Sequence, residues 1–207
     1  MDNKAMYKLS YGLFVLTSAY EGRDNGCITN TAIQVSSEPN RISVAVNKAN
    51  FTHDMIAQAK KFNISVLSEE ADFEIFKHFG FQSGRDTDKF ASFKEYERAE
   101  NGILYIKKGT NAFFSVDVEQ MIDLNSHTLF IGQPTAMEVL SGTPSCTYAY
   151  YQENIKPKPE KKENTSGKTI WRCKVCGYEY EGEELPEDFI CPICKHPASD
   201  FEKIVSV

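Results

Sequence analysis

Apolar and polar positions alternate through much of the first 150 residues, the two-residue period of half-buried strands. Residues 12–18 form an apolar strand candidate. Glu21, Gly22, Arg23, Asp24, Asn25 and Gly26 follow as turn residues, so a hairpin is predicted there. Residues 28–35 read as its return strand. In 41–47, Ile42, Val44 and Val46 alternate with smaller or polar residues, and 63–67 and 127–132 repeat the theme. Two stretches switch to helical spacing. Thr52 reads as the N-cap of a helix to about Lys60, with Met55, Ile56 and Ala59 on one face. Ser68 reads as the cap of a second, with Phe73, Phe76 and Phe79 in register and Gly80 as its stop. Several strands, two helices and no regular βαβ alternation predict a mainly β fold, a barrel with helical decorations.

The pattern stops at residues 153–168, which carry almost no apolar side chains, two prolines and many charges. That is the composition of a solvated linker, spanning roughly 22 Å if it behaves as a coil. The chain therefore divides into a barrel domain at 1–152, a flexible charged linker at 153–168 and a small domain at 169–207. The linker is net basic, whereas the small domain has eight Asp/Glu against four Lys/Arg. A net charge of −6 argues against nucleic-acid and membrane-surface partners. No apolar run is long enough to span a bilayer, and the first residues do not read as a signal peptide.

Four of the six cysteines, Cys173, Cys176, Cys191 and Cys194, form two C-x-x-C pairs in a short segment. Two such pairs on one compact unit bring four thiolates to tetrahedral spacing, which selects zinc or iron. With most cysteines at metal spacing, disulfides are not expected and a reducing cytoplasm is. Cys27 and Cys146 read as small buried hydrophobes. Gly177 and Tyr178 after the first pair, Pro192 inside the second, and Trp171, Tyr180, Phe189 and Phe201 around them resemble rubredoxin. The short loop between the pairs is similar to the module appended to rubrerythrins. The resemblance implies one iron held by four cysteines inside an aromatic shell. A zinc ribbon, clipping a domain too small to fold by burial alone, is the plainer alternative.

The first domain carries an ordered set of short motifs. Gly26, Cys27, Ile28, Thr29, Asn30 and Thr31 come first, then Val35, Ser36 and Pro39. Asn47, Thr52 and His53 follow, and then Ser83, Gly84, Arg85, Asp88, Lys89 and Phe90. Their order resembles the flavin reductase-like family. The resemblance implies an FMN-binding split β-barrel that pairs as a homodimer. It also implies Thr29, Asn30, Thr31 and Ala32 against the isoalloxazine ring, where small polar residues let the backbone approach. Asn47, Lys48, Asn50 and Thr52 fall on the phosphate side, at a helix N-terminus. Ser83, Gly84, Arg85 and Lys89 form a basic turn for an FMN or nicotinamide phosphate. Ordinary turn chemistry, a plain helix cap and a salt-bridged surface loop are the respective alternatives.

No side chain is assigned as catalytic; most histidines at such positions are structural, and the resemblance leaves His127, just before the 129–132 strand, as the family's alternative beside the nicotinamide. Barrel and small domain together resemble the high-molecular-weight rubredoxins of anaerobic bacteria. That implies electron flow from NAD(P)H through FMN and iron to an acceptor such as a flavodiiron oxygen or nitric oxide reductase. Two rivals stay open: a relay fed by a separate reductase, and a zinc-clipped flavin-binding protein.

Overall fold

The computed structural model describes residues 3–157, 169–174, 178–191 and 197–204. It contains two compact units, Met1–Lys156 and Pro157–Val207.

In the first unit, β1 (Phe14–Tyr20) and β2 (Arg23–Thr29) form an antiparallel hairpin. Its turn is only Glu21 and Gly22, at φ 51° and 76°. Two positive φ values make the two-residue turn that matches strand twist. The turn is therefore narrower than residues 21–26, and Arg23 to Gly26 belong to β2. The return strand expected over 28–35 is likewise two strands. β2 ends at Thr29, and β3 (Ile33–Ser37) starts four residues later and pairs with β4 (Asn40–Asn47).

The chain continues through α1 (Phe51–Ala59), β5 (Lys61–Leu67), α2 (Phe73–Gly80) and α3 (Lys89–Ser92). Then come β6 (Tyr96–Arg98), β7 (Leu104–Ile106), β8 (Thr110–Asp123) and β9 (His127–Val139). Seven strands form one antiparallel sheet in the order β2-β1-β5-β8-β9-β4-β3. Its two edge strands, β2 and β3, are consecutive in the chain. Four residue steps span at most roughly 14 Å. The edges must therefore approach each other, and the sheet rolls into a split barrel.

Thr31 closes the gap. Its Oγ1 donates to Ala45 O at 2.7 Å and accepts from Ala45 N at 3.2 Å. One hydroxyl thus supplies Ala45 with both bonds of a strand neighbour.

Inside the roll lie Leu16, Val44, Phe62, Ile64, Val116 and Phe130, with Ile56 from α1. A second core lies on the other side of β1, where Val15 and Leu67 meet Phe76 and Phe79 of α2, Phe90 of α3, Ile106 and Tyr151. Burial on both faces explains why β1 reads as a continuous apolar run. Tyr151 follows α4 (Tyr148–Tyr150), and helical turns continue to Ile155, which packs on the same core. Residues 153–155 are thus folded into the first unit.

The caps differ from the sequence reading. Asn50, not Thr52, caps α1: its Oδ1 accepts from Thr52 N at 3.0 Å. Thr52 is buried, and its hydroxyl accepts from Asn25 Nδ2 at 2.9 Å. Asp72, not Ser68, caps α2. Ser68 lies four residues earlier, bridged to Ser145.

Buried polar side chains of β1 and β5 hold the β6–β7 hairpin on the sheet. Thr17 Oγ1 donates to Leu104 O, Asn63 Nδ2 donates to Ile103 O, and Ser65 Oγ accepts from Ile106 N. Each hydrogen-bonds a hairpin backbone group, so none is an idle polar group in a core.

The second unit is a three-stranded sheet of β10 (Ile170–Cys173), β11 (Glu179–Glu181) and β12 (Phe201–Ile204), ordered β11-β10-β12. Cys173, Cys191 and Phe201 are its buried centre, and Trp171, Tyr178, Leu185 and Phe189 pack around them. Trp171 Nε1 donates to Gly182 O at 3.1 Å.

Gly132 marks the tightest backbone approach in the barrel: a Cβ there would stand 2.3 Å from Asp117 O. Gly132→Ala is expected to lower the unfolding free energy by about 1–3 kcal/mol, because backbone cannot step aside cheaply. Urea denaturation checks this, and an unchanged midpoint would contradict the close pairing of β8 and β9.

Candidate functional site

Three segments meet near the start of α1. The first is the crossing between the sheet edges. Thr29, Asn30, Thr31 and Ala32 are all half-buried there. Thr29 and Thr31 hydroxyls lie 3.0 Å apart. Since Thr31's hydroxyl serves Ala45, what the crossing offers a ligand is chiefly backbone and small side chains. Ala32 also lines a cavity of about 290 Å³ with Phe14, Ile42, Ile64, Phe114 and Met137.

The second segment joins β4 to α1. Ala45 precedes Asn47 by two residues, which brings this turn close to the crossing. Asn47 Oδ1 accepts from Ala49 N at 2.9 Å, and Asn50 accepts from Thr52 N and His53 N. Much of the helix end expected to face an anion is therefore already capped by the chain itself. Lys48 does not add its charge there. Its Nζ reaches both Asp123 carboxylate oxygens, at 2.7 and 2.8 Å, beside the β8–β9 turn. Lys48 holds that carboxyl below its usual range, helped by a bond from Asn125 N.

The third segment is the turn after α2. Ser83 Oγ accepts from Arg85 N at 3.1 Å. Gly84 is buried, and a Cβ on it would fall 2.2 Å from Asn25 Oδ1, so the turn lies flush on β2 only because residue 84 is glycine. Arg23 Nη2 donates to Gly84 O at 2.5 Å, and Arg85 Nη2 pairs with Asp54 at 2.7 Å. Both guanidiniums lie over the ring of Phe51, at 4.7 and 5.3 Å from its centre. Partial burial alone would raise the Asp54 carboxyl. Hydrogen bonds from His53 and Arg85 outweigh it and hold the group below the carboxylate range.

Lys89 corrects the sequence reading. It was expected to share the basic turn, yet only 3% of it is exposed. Its Nζ donates to Gly26 O at 2.8 Å and Phe79 O at 2.9 Å, tying β2 to the C-terminal end of α2. Burial pushes its pKa down to about 8, against a smaller opposing pull from Cys27. Burial also raises the thiol pKa of Cys27, and takes that of Cys146 to about 11. Neither thiol is poised as a nucleophile.

The three histidines among the described residues take structural partners. His53 bridges Asp54 and Thr128, His78 Nε2 lies 2.6 Å from Lys89 O, and His127 meets Ser126. The sequence reading missed Arg23, Asn25 and Phe51. Starting β2 at residue 23 would have placed Arg23 and Asn25 on one face by the two-residue period.

In the second unit, Cys173 and Cys191 are 1% and 0% exposed within the aromatic shell. Cys176 and Cys194, like Gly177, Pro192 and His196, lie outside the described residues. Two buried sulfurs enclosed by aromatic rings fit a soft-metal site shielded from water.

An antiparallel split barrel followed by a cysteine-centred three-stranded unit defines a two-part class of protein. Residues 6–158 match the flavin reductase-like domain, and 171–202 match the rubredoxin-like domain of rubrerythrin. The chain belongs to the flavin reductase-like family and carries a rubredoxin-like domain at its C-terminal end. It is 35% identical to the high molecular weight rubredoxin of Moorella thermoacetica, over 99% of this chain and all of that one. It is 37% identical to the ferric-chelate reductase (NAD(P)H) of Archaeoglobus fulgidus, over 73% of this chain and 89% of that one. The FMN-binding protein of Thermus thermophilus shares the fold, with a TM-score of 0.60 at 21% identity, covering 66% of this chain and 74% of that one. No helix among the described residues is long and apolar enough to cross a membrane.

Two predictions follow from this geometry. Lys89 has a folded pKa near 8 and a reference value of 10.5. Below pH 8 both states carry the proton and the burial penalty is full. Between about 8 and 10.5 the folded form sheds it first, so stability rises with pH. Wild type should therefore gain on Lys89→Met across that window in chemical denaturation, and a constant difference would contradict the burial. Serine at Cys173, Cys176, Cys191 or Cys194 should abolish or strongly shift the thiolate-to-metal absorption. Serine at Cys27 or Cys146 should leave it intact, and a normal spectrum in any of the first four would refute the ligand set.

Proposed function

We propose that this chain is an NAD(P)H-dependent electron-transfer flavoenzyme. It takes hydride onto FMN, passes single electrons to an iron held by Cys173, Cys176, Cys191 and Cys194, and delivers them to an acceptor protein, a flavodiiron reductase being the expected one. The observation that carries this is the union, on one chain, of a flavin reductase-like barrel with buried sulfurs in a rubredoxin-like shell. Likeness to the high molecular weight rubredoxin supports both halves, and likeness to the ferric-chelate reductase (NAD(P)H) supports the barrel half. When bound, FMN converts the two-electron hydride into single electrons, which a one-iron site is able to take one at a time.

The chain's own residues bind and orient. The crossing at 29–32 supplies backbone and small side chains to the ring, and its rigidity comes from Thr31's bonds to Ala45. Asn47, Asn50 and Thr52 shape the phosphate side at α1. Ser83, Gly84 and Arg85 close over it, since Gly84 seats against Asn25 and Arg85 is braced by Asp54. Positioning of this kind is the protein's main contribution in cofactor-borne chemistry. Burial of Cys173 and Cys191 excludes water from the metal side. The exposed apolar residues Ile33, Val35, Met137 and Val139 support pairing as a homodimer. A cytoplasmic setting agrees with the unpaired thiols Cys27 and Cys146.

The test is an anaerobic purification. Flavin and ferric-thiolate bands that both bleach with NADH or NADPH support the enzyme. Both bands without bleaching would instead indicate a relay fed by a separate reductase, and flavin with stoichiometric zinc a clipped binding protein. Cutting the chain near Pro159 should leave dye reduction by the barrel intact. It should greatly slow reduction of the small domain at micromolar protein, because a tether of this length holds its domain at about millimolar effective concentration. Equal rates before and after cleavage would show the tether to be incidental.

A further inference from the structure

The two ends of the barrel are finished differently. α1 joins the end of β4 to the start of β5 and packs Ile56 into the roll, so it closes the end where those strands meet it. The cavity of about 290 Å³ lies at the opposite end. Phe14 opens β1, Asn40 and Arg41 open β4, Phe114 is in the first half of β8 and Met137 is near the end of β9. We propose that this cavity binds a neutral two-ring quinone and that the barrel reduces it.

Size and wall chemistry set the ligand's frame. Ile64, 2% exposed, lies at the floor, and Met137, 59% exposed, lies at the mouth. An apolar cavity of about 150 Å³ stays dry and takes benzene. Nearly twice that space suits two fused six-membered rings, and on the same scale a three-ring isoalloxazine does not fit. Phe14 and Phe114 stand on the strands either side of β5. Aromatic walls favour a flat π system, and the Met137 thioether adds a soft contact to a ring.

The polar rim decides charge and function. Of the lining residues Arg41 alone is charged, and Glu119 Oε2 lies 2.5 Å from its Nε. The two charges cancel, so the wall selects neither an anion nor a cation. Arg41 Nη1 donates to Asn40 O at 2.8 Å, and Gln34 Nε2 donates to Asn40 Oδ1 at 3.0 Å. Among the described residues Arg41 Nη2 and Asn40 Nδ2 have no acceptor, so a ring carbonyl finds donors here. A plain hydrocarbon would leave them to water. A phenol would use them but has nowhere to put electrons.

Ala32 supplies the reason for electrons. It lines the cavity and also belongs to the crossing at 29–32, which the proposed function sets against the flavin ring. A ligand in the cavity therefore stands next to the place where reducing equivalents arise. The exchange balances without a further reactant. Both quinone carbonyls become hydroxyls, which takes two electrons and two protons. NAD(P)H gives the electron pair and one proton as hydride, solvent gives the other proton, and NAD(P)⁺ and hydroquinone leave. The acceptor role rests on the reading of the barrel as a flavin and nicotinamide enzyme, whereas binding does not.

The probe is 2,3-dimethyl-1,4-naphthoquinone, whose ring carbons open to thiol addition are both blocked. Full-length protein saturated with FMN is titrated with it and with 2,3-dimethylnaphthalene by calorimetry. Wild type should bind the quinone more tightly than the hydrocarbon. Met137→Trp and Gln34→Trp place an indole in the cavity from exposed positions, so each should lose binding of both. Arg41→Met should weaken the quinone about tenfold and leave the hydrocarbon unchanged. With NADH or NADPH as donor, the tryptophan variants should lose quinone reduction and keep reduction of ferricyanide, which also shows that they are folded.

Unchanged binding in both tryptophan variants overturns the site. So does a wild type that binds neither probe, the result expected if a second copy of the chain fills the cavity. Equal affinity for quinone and hydrocarbon, with no effect of Arg41→Met, overturns the quinone as ligand. A quinone that is bound but not reduced, while ferricyanide is, overturns the acceptor role. A bound quinone with neither acceptor reduced sinks the enzyme reading and leaves the binding site standing.

Discussion

The barrel depends on one short covalent crossing. β2 and β3 are opposite edges of a seven-stranded sheet, and only residues 30–32 separate them. Chain length forces the edges together, and the Thr31 hydroxyl supplies the two bonds that a neighbouring strand would have given Ala45. The rest of the candidate site is laid out around this point. Ala45 leads into Asn47 and the start of α1, and Thr52 on α1 reaches back to Asn25 of β2. A site built on a sealed edge has little freedom to sag, which suits a barrel that must hold a planar ring in one place.

Many of the polar residues that look chemical are spent on this construction. Lys89 satisfies two backbone carbonyls at the junction of β2 and α2. Thr17, Asn63 and Ser65 anchor a hairpin, and His53 and His78 bridge neighbouring elements. Lys89, Thr17, Asn63 and Ser65 are buried because leaving the backbone unpaired would be more unfavourable than burying its partner. Gly84 and Gly132 serve the same end from the other direction, by letting backbone or amide approach where a Cβ would not fit. Arg23 and Arg85, in contrast, remain exposed at the surface. In the second unit, Cys173 and Cys191 are enclosed by aromatic rings, so the chain divides its chemistry between a broad barrel and a small sulfur-lined core.

The sequence by itself determined the division into barrel and cysteine-bearing domain, the mainly β character, and most of the strands. These follow from local quantities: period-two alternation, turn residues, and the spacing of cysteines along the chain. It also placed Phe76 and Phe79 on a buried helix face. The tertiary structure decided what each polar residue is for. Asn50 took the cap expected of Thr52 because Thr52 found Asn25, 27 residues away. Lys48 turned to Asp123, 75 residues on, and Lys89 to Gly26, 63 residues back. Arg23 met Arg85 over Phe51 only because the fold packs a hairpin, a helix start and a loop together. Spacing along a chain reports which face a side chain takes, but the partner it meets depends on how separate segments close in space.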